Sequence, residues 1–216
     1  VLIVAGCGIH NGGDKKSRHD GIHTFYIGKN ARVKYVEKHY GKGDGNGENV
    51  MNPTTIVNIE EGGYMEMETV QIKGIDSTNR ITEAKLDKDA KIVITERIMT
   101  HGNQFAETHF NVDMNGDGSS ANVISRSVAK GNSKQSYISN IIGNNISKGH
   151  TECDAILVDN GTVTASPRLT ANNCDSELIH EAAIGKIAGE QLLKLRTLGL
   201  TEEEAEQKII QGFIGE

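Results

Sequence analysis

The sequence predicts a mainly β domain that closes on a short helical segment, and three observations carry this. Between Thr24 and Leu169, apolar and polar residues alternate in short phrases set off by small or acidic turns. The chain has 25 glycines, 4% aromatic residues and no tryptophan, so its turns are many and its core is aliphatic. Helical spacing of apolar residues is missing until the stretch that begins at Glu177.

Taken in order, Asn30–Val36, Gly62–Met67, Asp89–Ile94, Ala121–Ile124 and Gly161–Ala165 each begin at a turn residue and then alternate with period two. That period places one face of a strand inward and the other toward water. A sandwich, a barrel and a β-helix all satisfy the pattern. Irregular strand-plus-turn repeats with few aromatics suit stacked rungs, at a spacing too uneven for a hexapeptide solenoid.

The final segment reads as two short helices meeting at Gly199. Leu192, Leu195 and Leu198 mark the first, and Gly199 supplies the left-handed residue that ends it. Thr201 with Glu204 forms a capping box for the second, on which Ala205, Ile209 and Phe213 recur at every fourth position. Helices this short are marginal alone in water, so their apolar stripes must be buried against the domain or a partner.

At 216 residues the chain fits one domain with a substantial core. A net charge of −6 without a basic cluster speaks against nucleic acid as a partner. Cys7, Cys153 and Cys174 are an odd set with no CxxC pair, which favours a reducing compartment. No run approaches the ~18 apolar residues of a membrane span, and the apolar start VLIVAGCGIH has no basic leader, so a cytoplasmic location is expected. The chain begins without methionine, and an upstream part or tag is expected to be missing. Asp113–Gly118 imitates half of an EF-hand loop, but Ile124 stands at the twelfth place, so a tight turn is expected. Gly41–Gly47 lacks the spacing of a phosphate loop and is read as a surface loop.

His180-Glu181-Ala182, Gly185-Lys186-Ile187, Glu190-Gln191-Leu192, Gly199-Leu200, Glu203 to Ala205 and Gly212-Phe213 together resemble the C-terminal signature of the SufB/SufD proteins, scaffold subunits of Suf iron–sulfur cluster assembly. Lys148–Asp154 with Ala155–Val158 is similar to the family's segment before the last rungs. Shorter family-like phrases occur at Ile124–Arg126 and Lys29–Tyr35, and Cys7 sits where many relatives carry a Gly-Cys pair. The helical N-terminal region of many relatives has no counterpart in these residues.

The resemblance implies a right-handed parallel β-helix over residues 1–184 and a helical segment over 185–216, in one continuous unit. It implies a non-enzymatic scaffold that pairs with a second copy or a paralogue. The helices, with Gln191, Leu192, Leu195, Gly199, Glu203, Ala205, Ile209 and Phe213, would dock an ABC-type Suf ATPase, since the chain has no nucleotide motif of its own. A transient iron–sulfur cluster would involve His180 and Glu181, both iron-ligand types, with Cys153 and Cys174 as candidate thiols on thiolate chemistry, the family motif having no fixed cysteine at Cys174. If that stretch is a strand, His180 and Glu181 point to opposite faces. Six extended residues put Cys174 ~20 Å from His180 unless the chain bends. Two sulfur-handling cysteines expected near Val57–Ile59 and in Asp159–Gly161 are replaced, so the usual sulfur route does not carry over. The alternatives are a SufD-like structural paralogue that binds no cluster, and a β-helix carbohydrate-active enzyme. The second would need aromatic sugar platforms, and the chain offers only four phenylalanines and five tyrosines.

Overall fold

The computed structural model describes residues 1–9, 16–41 and 49–215. Most of the loop read at 41–47 therefore lies outside the described residues. In chain order the strands are β1 (Leu2–Ile9), β2 (Ser17–His19), β3 (Ile22–Ile27), β4 (Arg32–Gly41), β5 (Asn49–Met51), β6 (Thr54–Ile59), β7 (Tyr64–Lys73) and β8 (Ser77–Leu86). They continue as β9 (Lys91–Thr100), β10 (Phe105–Met114), β11 (Ser119–Ala129), β12 (Lys134–Gly143), β13 (Ser147–Leu157), β14 (Thr162–Ala171) and β15 (Glu177–Lys186). Helices α1 (Gly189–Thr197) and α2 (Glu202–Ile214) follow.

Every pairing is parallel, and the chain alternates between two sheets, strand by strand from β7 on, with the paired pieces β2/β3 and β5/β6 each standing for one strand of the second sheet before that. One sheet runs β1-β4-β7-β9-β11-β13-β15, the other β14-β12-β10-β8 and then onto the short pieces β5-β2 and β6-β3. This is a parallel β-helix. Tyr64 pairs Lys91, Lys91 pairs Ser120, Ser119 pairs Ser147 and Lys148 pairs Glu177, so a turn of the helix takes 27 to 29 residues. Of the stretch Asp113–Gly118, Asp113 and Met114 end β10 and 115–118 form the tight turn into β11.

The alternation read from sequence becomes columns of stacked side chains. Tyr35, Met67, Ile94 and Val123 stack on the inner face of the first sheet. They face Val57, Ala84, Val112 and Ile141 on the second, in one continuous core. Aliphatic and methionine side chains fill most of this core, with Tyr35, Phe110 and Tyr137 as its buried aromatics.

Two corner devices keep the rungs in register. Asn30, Gly62, Asp89 and Gly118 all adopt positive φ, and each backbone N–H donates to a carbonyl one rung on. Only glycine, or Asn and Asp with their local hydrogen bonds, visits that region at low cost. At another corner Asn172 donates its side-chain amide to Asn144 at 2.7 Å, and Asn144 to Asn115 at 2.8 Å, a polar ladder that repeats with the rungs.

The helices fold back on the outer face of the first sheet. Thr201 accepts from the Glu204 amide and Glu204 reaches back to the Thr201 N–H, so the capping box is formed. Gly199 is left-handed, with φ 97°. The buried residues of α2 are Ala205, Ile210 and Ile214, packed with Val128 and Val158. Ile209 and Phe213, expected on the apolar stripe, are half-buried at its margin, because α2 sits in the angle between α1 and β11. Burial of each such isoleucine stabilises by about 1.5–3 kcal/mol, enough to order a helix that would fray alone.

Candidate functional site

A buried polar strip runs inside the β-helix toward its C-terminal end. On the first sheet Glu37, Thr69, Glu96, Ser125, Cys153 and Ala182 are register neighbours in one inward column. Across from it, Arg80, Thr108 and Tyr137 form the matching column of the second sheet. Arg80, almost wholly buried, donates to Glu37 at 2.9 Å, contacts His39 Nδ1 at 2.7 Å and lies 3.5 Å from Glu96. Thr108 and Ser125 donate to the two oxygens of Glu96 at 3.0 and 2.9 Å. Tyr35 donates to Glu37 at 3.1 Å and meets His23 at 2.7 Å.

These contacts split the two carboxylates. Burial pushes the Glu37 carboxyl up, but the imidazole of His39, 3.3 Å away, and the Arg80 guanidinium outweigh it and hold it at about 2. Burial dominates at Glu96, which rises above the ordinary range despite Arg80, Ser125 and Thr108. One buried arginine thus keeps one partner charged and leaves the other ready to hold a proton.

At the C-terminal end of the strip the structure places the residues singled out by sequence. Cys153 is buried on β13, and burial, with Glu96 and Asp154 adding, pushes its thiol up to about 12. His180, on β15, pairs in register with Thr151 and shares the inward face with Cys153 one strand away. Its Nδ1 is buried and makes no hydrogen bond with the described residues. Burial lowers its pKa, with His150 adding and a Thr151 backbone contact opposing, so the ring is neutral near physiological pH. Glu181 pairs with Glu152 on the outer face, opposite to His180. Cys174 is exposed in the turn before β15 and stands outside both clusters of metal-type ligands. The chain therefore brings Cys153 and His180 to one face and separates both from Glu181.

β15 and β14 end their sheets, so each presents an unpaired edge. Pro167 lies on β14, where no ladder N–H is needed. Ile179, Ile184 and Leu169 are exposed by 55%, 38% and 36% there. On α1 no residue is fully buried, and Leu193 and Leu198 are 60% and 73% exposed. Gln191, Gly199 and Glu203 are also exposed, Leu192 and Leu195 half-buried, whereas Ala205 is covered by the protein itself.

Sequence reasoning missed Glu37, His39, Arg80 and Glu96. Strand phase would have found them: Glu37 and His39 keep step with inward Tyr35, and Glu96 with Ile92 and Ile94. The structure gathers two sets of metal-type ligands among the described residues, Cys7 with Glu37 and His39, and His150 with Glu152 and Glu181.

Residues 2–213 match the family model for the SufBD core domain of the SUF system for Fe–S cluster assembly. An iron–sulfur cluster assembly SufBD family protein of Methanocaldococcus jannaschii is 34% identical over 218 residues, covering 100% of this chain and 68% of that protein. SufBD family proteins of Archaeoglobus fulgidus and Methanothermobacter thermautotrophicus are 32% and 31% identical, and the chain spans 56% and 51% of their lengths.

Proposed function

The chain belongs to the SufBD family of iron–sulfur cluster assembly proteins, and from that premise we propose that it is a cytoplasmic scaffold of the Suf machinery. It pairs end to end through the open edge of its β-helix and docks an ABC-type ATPase through its C-terminal helices. The observation that carries the reading is the uncapped end itself. An edge strand with free backbone groups and exposed Ile179, Ile184 and Leu169 is a template for another strand. Cys153 and His180 open toward that same end.

The docking half rests on α1 and its C-cap, whose Leu193 and Leu198 are 60% and 73% exposed among the described residues. Among the described residues no helix is long and apolar enough to cross a membrane. The nascent cluster would be cargo on Cys153 and His180. The thiol must lose its proton to bind iron, and burial together with Glu96, one column position beyond Ser125, opposes that loss until a metal ion takes the proton's place.

A second reading, a structural paralogue that holds no cluster, is favoured by the neutral buried thiol and by the separation of His180 from Glu181. Anaerobic co-expression with the Suf ATPase of the same source, followed by size exclusion and by iron and sulfide analysis, decides between them. The scaffold reading expects a complex with cluster absorption that His180→Ala and Cys153→Ala remove. A complex without iron supports the paralogue. No complex, or one undisturbed by Leu193→Asp with Leu198→Asp, overturns docking through the helices.

A further inference from the structure

The outer face of the first sheet carries a group of ligands that neither the lumen nor the open edge uses. His150 and Glu152 stand two residues apart on β13, and Glu181 lies across from Glu152 on β15. One ligand atom from each lies within 4.8 Å of the others. Three strands of a rigid parallel sheet fix their spacing, since His150 also pairs in register with Asn122 on β11.

The imidazole is oriented from behind. Asn122 Oδ1 lies 2.9 Å from His150 Nδ1, a geometry suited to the tautomer in which Nδ1–H donates to Asn122 and Nε2 turns its lone pair outward. A histidine metal ligand is commonly held in this way, its second nitrogen donating to a fixed oxygen. Nε2 then meets Glu181 Oε2 at 3.2 Å. Two acceptors at that distance repel unless a proton or a cation lies between them. Two ligands, each about 2.1 Å from a tetrahedral zinc-sized ion, stand roughly 3.4 Å apart, close to what is seen.

The surroundings favour the cation. Glu152 has Asp154 beside it on the same outer face, and Arg126 is the positive group that acts on the pair. With Glu181, three carboxylates thus stand against one guanidinium. The adjacent Lys148 is engaged with Glu177 at 3.1 Å.

We propose that His150, Glu152 and Glu181 form an exchangeable site for a first-row divalent cation, separate from the lumen-facing Cys153 and His180. One imidazole and two carboxylates suit iron(II), manganese(II) or zinc, whereas calcium calls for six or more oxygens and soft ions for thiolate. Cys153 lies on the same strand but on the other face. Three protein ligands leave positions open to water, and Glu181 is 67% exposed, so the ion comes and goes. The site is independent of the cluster-scaffold reading, with which it shares Glu181 alone.

Cobalt(II) titration of the metal-free chain tests this through visible d–d absorption and a stoichiometry by equilibrium dialysis. One ion per chain is expected, lost in His150→Ala and in Glu152→Gln, and retained in Cys153→Ala and His180→Ala. Asn122→Ala, which removes only the orienting oxygen, weakens binding by about 10- to 100-fold. All these outer-face changes leave the core untouched, so urea unfolding should match the wild type. No binding at submillimolar cobalt overturns the site. So does binding that survives both His150→Ala and Glu152→Gln, or binding abolished by Cys153→Ala or His180→Ala, which would place the ion in the lumen. Failure of cluster assembly in the complex would leave the titration unchanged, so the two ideas fail separately.

Discussion

Arg80→Met is the sharpest test of the buried polar strip. The methionine roughly fills the volume but removes the one cation that Glu37 and Glu96 share. Glu37 sits at about 2 against an ordinary 4.5, a gap equivalent to roughly 3 kcal/mol that His39 and Arg80 share. Stranding a buried charge by removing its partner costs about 3–5 kcal/mol, and Arg80 is a partner of both Glu37 and Glu96. That is a large part of the ~5–15 kcal/mol that holds a domain together.

The sign of the pH dependence distinguishes this mechanism from a mere packing defect. In the wild type, the lowered Glu37 contributes stability above its unfolded pKa, lost as pH falls from 4.5 toward 2. Without Arg80, Glu96 is raised further and Glu37, left with His39 alone, rises from its lowered value. A raised carboxyl contributes stability that is full below its unfolded value and lost as pH rises, so the variant should gain more stability than the wild type as pH falls from neutral toward 4.5. Urea unfolding followed by circular dichroism measures this directly, since the chain has no tryptophan. A loss under about 1 kcal/mol at neutral pH, or a pH profile parallel to the wild type, would refute the argument. If the single variant does not fold, Arg80→Met with Glu37→Gln and Glu96→Gln removes all three charges, and is expected to approach wild-type stability.

Glu96→Gln should raise stability at neutral pH and flatten its dependence above the unfolded carboxyl value of 4.5, because the raised carboxyl is destabilising wherever it must ionise; urea midpoints from there to neutral pH check it. Thr201→Ala removes the capping box of α2 and should cost about 1 kcal/mol. Hydrogen exchange should show the loss in the first turn of α2 and leave the β-helix amides protected.

How much of this was legible in the sequence depended on which interaction fixed each feature. The strand phrases at Asn30, Gly62, Asp89, Ala121 and Gly161 mark real strands, because alternation is a local consequence of one buried face. The capping box and Gly199 are equally local, and both formed. The 27- to 29-residue rung was hidden because its register is set by backbone ladders rather than by repeated side chains. The early rungs stray from it as well, with Arg32 pairing Tyr64. Glu37, Arg80 and Glu96 were hidden for the opposite reason: they lie in columns of buried polar residues, and their reason for being inside is one another, across 43 residues in the case of Glu37 and Arg80. On α2 the wider buried face depends on how β11 and α1 flank it, which spacing alone does not state.

Strand geometry also explains why the His180–Glu181 pair must serve two surfaces. Consecutive residues of a strand project to opposite faces, so no motion short of unpairing β15 brings both side chains onto one ion. His180 shares the inward face with Cys153, where burial raises the thiol and lowers the imidazole, so that both are uncharged near neutral pH. Glu181 belongs to the outer face with His150 and Glu152, where solvent reaches the ligands. A partner laid against β15 would extend both faces at once, because an added strand contributes alternate residues to each. The open edge is therefore the one element through which a second chain could complete the lumen set and alter the outer set in a single step.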